Sequence, residues 1–143
     1  MPPLASDRFS SLPRIAARQR AREIRRAEEL PDRREPGSNF SVDVRPFREH
    51  FVVVVCGEVD LLTAPEVHET VTDAVADGWR KVVVDLRAVS FMDASGVHLL
   101  QSLNAMRQHG VHCRMMDGAP AVRDILQLLA LTDVLPHIDP ATL

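Results

Sequence analysis

Tyrosine is absent from this chain of 143 residues, and aromatic residues make up only 4% of it. Hydrophobic residues nevertheless account for 45%, so the core must consist mainly of aliphatic side chains. No apolar run approaches the roughly 20 residues that a membrane-spanning helix requires. The first residues also lack the apolar centre of a signal peptide. We therefore expect a cytoplasmic protein that has no membrane partner.

Lysine occurs only once, at Lys81, and this scarcity argues against two classes of phosphate-handling protein. A P-loop requires a Gly-rich loop that ends in Gly-Lys-Ser or Gly-Lys-Thr, and the chain has no such string. A two-component receiver requires a lysine beside its phospho-accepting aspartate. Asp85 follows an apolar run, but Lys81 lies four residues earlier, about 13 Å away along a strand.

Other motifs of catalysis and metal binding are missing as well. Ser95 is not enclosed by the glycines of a Gly-x-Ser-x-Gly nucleophile turn, and no Gly-x-Gly-x-x-Gly follows a strand. The two cysteines, Cys56 and Cys113, form no Cys-x-x-Cys pair and fall in apolar strands, where packing is their usual role. His112 and Cys113 are neighbours in a predicted strand and must point to opposite faces. We predict no metal site and no cofactor.

Charge is divided unevenly between two parts of the chain. Residues 1–39 carry nine arginines and six acidic residues, whereas residues 40–143 carry a net charge of −6. We interpret residues 1–39 as a flexible basic extension with a helix over residues 13–30, followed by a Pro-rich linker. Acidic residues dilute its arginines and no aromatic residue interleaves with its helix, so we predict a solvated arm and no direct contact with nucleic acid.

The pattern of residues 40–143 predicts a small α/β domain. Alternating or continuous β-branched runs indicate strands, and apolar residues at helical spacing lie between them. The predicted order is β-β-α-β-α-β-α, with a short edge strand over residues 134–138 as an optional last element. Because alternating helices and strands form parallel crossovers, we expect a mostly parallel sheet of 4–5 strands with 3–4 helices. The opening hairpin adds one antiparallel strand at the N-terminus.

Two helix starts have recognisable sequence signals. Thr63-Ala-Pro-Glu66 has the form of a capping box, with Thr63 as the N-cap. Asp93-Ala-Ser-Gly96 follows the predicted strand over residues 82–86 and precedes a helical pattern, which places Ser95 where a short loop becomes a helix. Unpaired backbone N–H groups and the helix dipole favour an anion at such a position. The plainer interpretation is that Ser95 or Asp93 only caps the helix.

The order of elements and four local motifs resemble the STAS family, and within it the bacterial anti-sigma factor antagonists. The resemblance runs from about Phe40 to the C-terminus. It rests on Val-Val-Cys-Gly-Glu-Val-Asp60, on the Thr63 helix start, on Val-Asp-Leu86 and on the most specific motif, Phe-Met-Asp-Ala-Ser-Gly-Val97. His98 lies where close relatives often have a small residue, and residues 1–39 fall outside the resemblance.

The resemblance implies a binding protein that is not an enzyme. Ser95 would be phosphorylated by an anti-sigma factor with a histidine-kinase-like ATPase fold, and a PPM-type serine phosphatase would reset it. The unphosphorylated form would bind the anti-sigma factor and so regulate sigma-factor-dependent transcription. The residues implied in partner binding are Asp93, Ala94, Ser95, Gly96, Val97, His98, Glu58 and Asp60. The alternatives are a STAS module that is never phosphorylated, in a signalling scaffold or transport complex, and a domain that binds a small molecule or nucleotide.

Overall fold

The computed structural model describes residues 40–143, which begin with a hairpin. Strands β1 (Ser41–Phe47) and β2 (His50–Val59) pair antiparallel, with Ser41 opposite Cys56 at one end and Phe47 opposite His50 at the other. A two-residue turn joins them, and its first residue, Arg48, has a positive φ of 57°. The basic extension predicted for residues 1–39, with its helix over residues 13–30, lies outside the described residues.

The remaining chain alternates between helices and strands. Strand β3 pairs parallel with both β2 and β4, so the sheet order over residues 40–143 is β1-β2-β3-β4. This confirms the predicted α/β fold, a mostly parallel sheet with an antiparallel first strand. The elements that follow β2 are α1 (Ala64–Ala76), β3 (Lys81–Met92), α2 (Ala94–Ala105), a 3-10 turn (Met106–His109), β4 (His112–Met116), α3 (Pro120–Leu128) and a second 3-10 turn (Pro140–Thr142).

The main core lies between one face of the sheet and the helices. Phe51 of β2 is fully buried and meets Trp79 with a ring-centroid distance of 5.4 Å. Helices α1 and α2 contribute Val71 and Leu103, which are also fully buried. Each such aliphatic side chain stabilises the fold by about 1.5–3 kcal/mol relative to its exposed state. Apart from a few aromatic residues such as Phe51 and Trp79, the core is aliphatic, as the composition predicted.

A smaller apolar cluster lies on the other face of the sheet. It contains Val52, Val83 and Met116, against which Ile138 and Leu143 of the C-terminal segment pack. Both faces of β2 are thus covered, which explains its continuous β-branched sequence. Over residues 40–143, no helix is both long and apolar enough to cross a membrane.

Two local predictions need correction. Residues 134–138 do not form an edge strand. The Met115 backbone N–H donates to the Pro136 carbonyl oxygen and the Met115 carbonyl oxygen accepts from the Ile138 N–H, but only an isolated bridge between Met115 and His137 results. Pro136 has no N–H group and cannot continue a ladder. Thr63 does precede α1, but its side chain makes no capping bond to the helix. The Thr63 hydroxyl instead donates to the Glu58 carbonyl oxygen at 2.8 Å.

Candidate functional site

The carboxyl ends of β2 and β3 lie side by side and form the edge of the sheet that carries the candidate site. Glu58 is paired with Phe91, and Val59 with Met92. The Asp93 backbone N–H then donates to the Val59 carbonyl oxygen at 3.2 Å, which extends the contact by one residue. We call this region, where α1 and α2 also begin, the carboxyl edge.

Strand β3 is longer than predicted, and this changes the approach to Ser95. The sequence pattern placed its end at Leu86, whereas the strand continues to Met92. The part of β3 beyond Leu86 contains two register shifts against β2, which account for the difference in length. At each shift, residues of β3 have no direct partner in β2. Such bulges break the alternation of buried and exposed side chains and increase the local twist. The loop predicted before the helix therefore shrinks to a single residue, Asp93.

Asp85 and Arg87 stabilise the first of these bulges. The Asp85 carboxylate accepts hydrogen bonds from the backbone N–H, Nε and Nη2 of Arg87, at 3.1, 2.9 and 2.9 Å. Burial raises the pKa of Asp85, but the Arg87 hydrogen bonds and positive charge outweigh that effect, and the net pKa lies below its ordinary value. Asp85 is only 7% exposed, which is incompatible with the accessible phospho-acceptor of a receiver domain.

Asp93, not Ser95, caps helix α2. The Asp93 backbone is extended, and its Oδ1 atom accepts a hydrogen bond from the Ser95 N–H at 2.8 Å. The Asp93 carbonyl oxygen accepts the first backbone bonds of the helix, from Gly96 and Val97. Ser95 is half-buried, and its hydroxyl makes no hydrogen bond to the other residues in the range 40–143. The side chain of Ser95 is therefore not required for the cap.

Gly96 brings the first turn of α2 close to the end of β3. A Cβ atom at this position would lie 2.4 Å from Met92 Cγ and 2.9 Å from Met92 Sδ, both far inside van der Waals contact. Only glycine fits without displacing Met92, which is itself buried. The backbone beside Ser95 is thus packed against the core, and the serine is held on a rigid turn.

The predicted binding residues are brought together at the carboxyl edge but differ in exposure. Ala94 and His98 are exposed, Asp93 and Ser95 are half-buried, and Gly96 and Val97 are buried. Glu58 and Asp60 are half-buried and lie across the edge, at the end of β2. The side chain of Val97 faces the core in this structure.

Asp60 organises a tight turn between β2 and α1. Its Oδ1 atom accepts hydrogen bonds from the backbone N–H groups of Leu62 and Thr63, at 2.9 and 3.1 Å. Within this turn Leu61 and Leu62 are 74% and 84% exposed, and nearby Phe91 is 47% exposed. Sequence reasoning missed these three residues. The sequence did carry a signal for Leu61 and Leu62. The two leucines are adjacent, lie in a turn, and fall outside the apolar pattern of both β2 and α1.

The described residues do not gather side chains that suit metal binding. In the part of the chain that the structure describes, no three His, Cys, Asp or Glu side chains form a group able to hold a metal ion. His112 is exposed and Cys113 buried, so the two point to opposite faces as predicted. Burial also raises the pKa of the Cys113 thiol to about 11, which keeps it protonated at neutral pH.

Comparisons with known proteins agree with this architecture. The family model described as STAS domain matches residues 41–142. An anti-sigma-B factor antagonist of Staphylococcus aureus is 28% identical over 105 residues, which cover 73% of this chain and 96% of that protein. The crystal structure of an anti-sigma factor antagonist from Mycobacterium paratuberculosis matches with a TM-score of 0.59 and 26% identity, over 73% of this chain and 89% of that chain.

A more distant structure shows the same fold. The phosphorylated form of SpoIIAA, a Bacillus cell fate determinant, matches with a TM-score of 0.54 and 20% identity. The match covers 73% of this chain and 95% of that chain. At this identity the likeness concerns the fold alone.

Proposed function

This chain belongs to the STAS domain family, and from that premise we propose that it is an anti-sigma factor antagonist controlled by phosphorylation of Ser95. The Staphylococcus aureus protein and the Mycobacterium paratuberculosis protein, each above 25% identity, are both named as antagonists of this kind. In this proposal the unphosphorylated chain binds an anti-sigma factor with a histidine-kinase-like ATPase fold and thereby frees the sigma factor. Phosphorylation ends that binding, and a PPM-type serine phosphatase restores it.

The observation that supports this proposal most strongly is the separation of two roles at the start of α2. Because the Asp93 carboxylate caps the helix, the Ser95 hydroxyl is left without a hydrogen-bond partner among residues 40–143. A phosphate on Ser95 would therefore break no existing bond of the domain. The helix dipole would favour the added negative charge by about 0.3–1 kcal/mol, opposed by the charge of Asp93.

The same phosphate would be costly inside an interface. It adds a charge of about −1.5 to −2 at pH 7, which must lose its hydration when a partner covers Ser95. A hundredfold loss of affinity requires only about 2.8 kcal/mol, well within the cost of burying an unpaired charge. The switch then needs no refolding of the antagonist.

In this proposal the chain performs no chemistry of its own. The anti-sigma factor supplies the nucleotide and the catalytic groups, and this chain supplies the acceptor oxygen. We assign Asp93 as a helix cap and not as a base, since its Oδ1 atom is already engaged by the Ser95 N–H. Glu58, Asp60, Ala94 and His98 would contact the partner around Ser95, whereas Gly96 and Val97 would support that surface from below.

Phosphate transfer tests this proposal. The full chain is incubated with each histidine-kinase-like anti-sigma factor of its source organism and ATP, and intact mass is recorded. We expect one added phosphate, which Ser95→Ala abolishes. Ser102→Ala is the matched control, because Ser102 is an exposed serine of the same helix.

Two outcomes would contradict the proposal. Transfer that persists in Ser95→Ala would place the acceptor elsewhere. A stable complex with no transfer, and with equal affinity for wild type and Ser95→Glu, would support the alternative of a STAS module that is never phosphorylated.

A further inference from the structure

Three exposed apolar residues lie at the carboxyl edge, where Ser95 also lies. Leu61 and Leu62 belong to the turn after β2, and Phe91 belongs to the end of β3. They are 74%, 84% and 47% exposed. We call these three residues the apolar edge. A turn this exposed would ordinarily contain Gly, Asn, Asp or Ser, so two consecutive leucines require an explanation.

The register of the sheet places the apolar edge beside Ser95. Phe91 is four residues before Ser95 and is paired with Glu58, three residues before Leu61. Neighbouring strands lie about 4.8 Å apart, and each further residue adds at most about 3.6 Å. The hydrogen bond from the Asp93 N–H to the Val59 carbonyl oxygen holds the carboxyl ends of β2 and β3 together at this point. One partner surface of ordinary size could cover both the leucines and Ser95.

The structure holds the two leucines out in a defined conformation. Asp60 Oδ1 accepts from the Leu62 N–H, and the Asp60 N–H donates to Thr63 Oγ1 at 2.9 Å. The leucines therefore do not fold back onto the core, although burial would remove their apolar surface from water. A pre-ordered turn also lowers the entropic cost of binding, because little backbone freedom remains to be lost.

Acidic residues neighbour the apolar edge. Glu58 is paired with Phe91, Asp60 directly precedes Leu61, and Asp93 follows Phe91 by two residues, and all three acidic residues are half-buried. A surface with an apolar centre and carboxylates at its rim matches a partner that presents apolar side chains flanked by Lys or Arg.

We propose that the apolar edge is the principal affinity-providing contact for the anti-sigma factor, which would present an apolar surface with a basic rim. This inference rests on the proposed function and deepens it, because it separates affinity from switching. Leu61, Leu62 and Phe91 provide the affinity, and Ser95 provides the switch.

This arrangement also specifies how phosphorylation acts. A phosphate on Ser95 would lose its hydration when the partner docks, and the Lys or Arg side chains that face Asp93 would offset only part of that cost. Salt screens attraction between exposed charges at the rim but does not restore lost hydration. The affinity of both forms should fall as salt rises, while the ratio between the unphosphorylated and phosphorylated forms should change less than threefold.

The test compares two leucines of equal exposure. Leu62→Ser removes part of the apolar edge, and Leu128→Ser removes an 81% exposed leucine at the far end of α3. Calorimetric titration of the full chain against the histidine-kinase-like anti-sigma factors of the source organism gives the affinities. We expect Leu62→Ser to weaken binding at least tenfold and Leu128→Ser to change it less than twofold, with both thermal midpoints close to that of wild type.

The contrary outcomes separate this inference from the proposed function. If Ser95 is phosphorylated and wild type binds, but Leu62→Ser binds as tightly as wild type, the apolar edge is not the docking surface and the proposed function stands. Equal losses in Leu62→Ser and Leu128→Ser would likewise overturn the inference. If no anti-sigma factor binds or modifies the wild-type chain, both proposals fail.

Discussion

Asp93 has a structural role at the start of α2, and Ser95 of the same short motif has the proposed functional role. The side chain and the carbonyl oxygen of Asp93 accept hydrogen bonds from the first backbone N–H groups of α2. Ser95 contributes only its backbone N–H to this cap. The sequence alone left open which of the two caps α2, because Ser and Asp are both favoured N-caps. The structure identifies Asp93 as the N-cap. Its backbone is extended, and its side chain accepts from the N–H of Ser95, two residues later, as an N-cap side chain does.

This assignment predicts destabilisation of different size for two substitutions of Asp93. Asp93→Ala removes the acceptor of the Ser95 N–H and should lower the free energy of unfolding by about 1 kcal/mol. Asp93→Asn keeps an oxygen in the same place and should cost only a few tenths of that value. Urea unfolding at pH 7 measures both. Equal destabilisation by Ala and Asn would mean that charge, not the hydrogen bond, is what Asp93 contributes.

Among the secondary-structure elements, β3 departs most from its sequence pattern. The continuous run from Val82 to Leu86 predicts a strand, but the pattern breaks off after Leu86, where the register shifts at Arg87 and Ser90 interrupt it. No local rule predicts a bulge from composition alone. The helices were easier to predict, since α1 and α2 keep their apolar spacing and end before Gly78 and Gly110, both with positive φ. The fold could therefore be predicted from the sequence, but not the exact path of β3 into the site.

The bulge in β3 predicts a specific acid sensitivity. The folded pKa of Asp85 lies below its ordinary value, so its carboxylate stabilises the fold above about pH 3.9, and that contribution is lost as pH falls through the lowered folded pKa. Asp85→Asn should lower the free energy of unfolding at pH 7 by about 1–3 kcal/mol. The difference from wild type should then shrink on acidification below about pH 3.9.

Urea unfolding of both proteins at several pH values tests this. Arg87→Gln should reproduce part of the loss, because it removes the guanidinium that bonds Asp85. A wild-type to Asp85→Asn difference that stays constant from pH 7 to pH 3 would show that the Asp85 charge does not stabilise the bulge.

In the molecule as a whole, the parallel pairing of β2 and β3 gathers the candidate site residues at one edge of the sheet. Residues 58–62 and 91–98 are distant in sequence, but the pairing of β2 with β3 brings them together. The resemblance to the STAS family implied Glu58, Asp60 and Ser95, and the pairing of β2 with β3 explains why they lie at one edge. The apolar edge was not predictable in the same way, because whether Leu61 and Leu62 are buried depends on three-dimensional packing and on the Asp60 turn. The acidic balance of residues 40–143 is consistent with a basic partner surface.

The phosphorylation switch is tested most directly by measuring the affinity of one anti-sigma factor for the unphosphorylated and the phosphorylated form of this chain. The chain is phosphorylated in full by its kinase, the product is separated, and both forms are titrated under identical conditions. We predict that phosphorylation of Ser95 weakens binding at least a hundredfold, which corresponds to about 2.8 kcal/mol. Affinities within twofold of each other would contradict the account, even if Ser95 carries the phosphate.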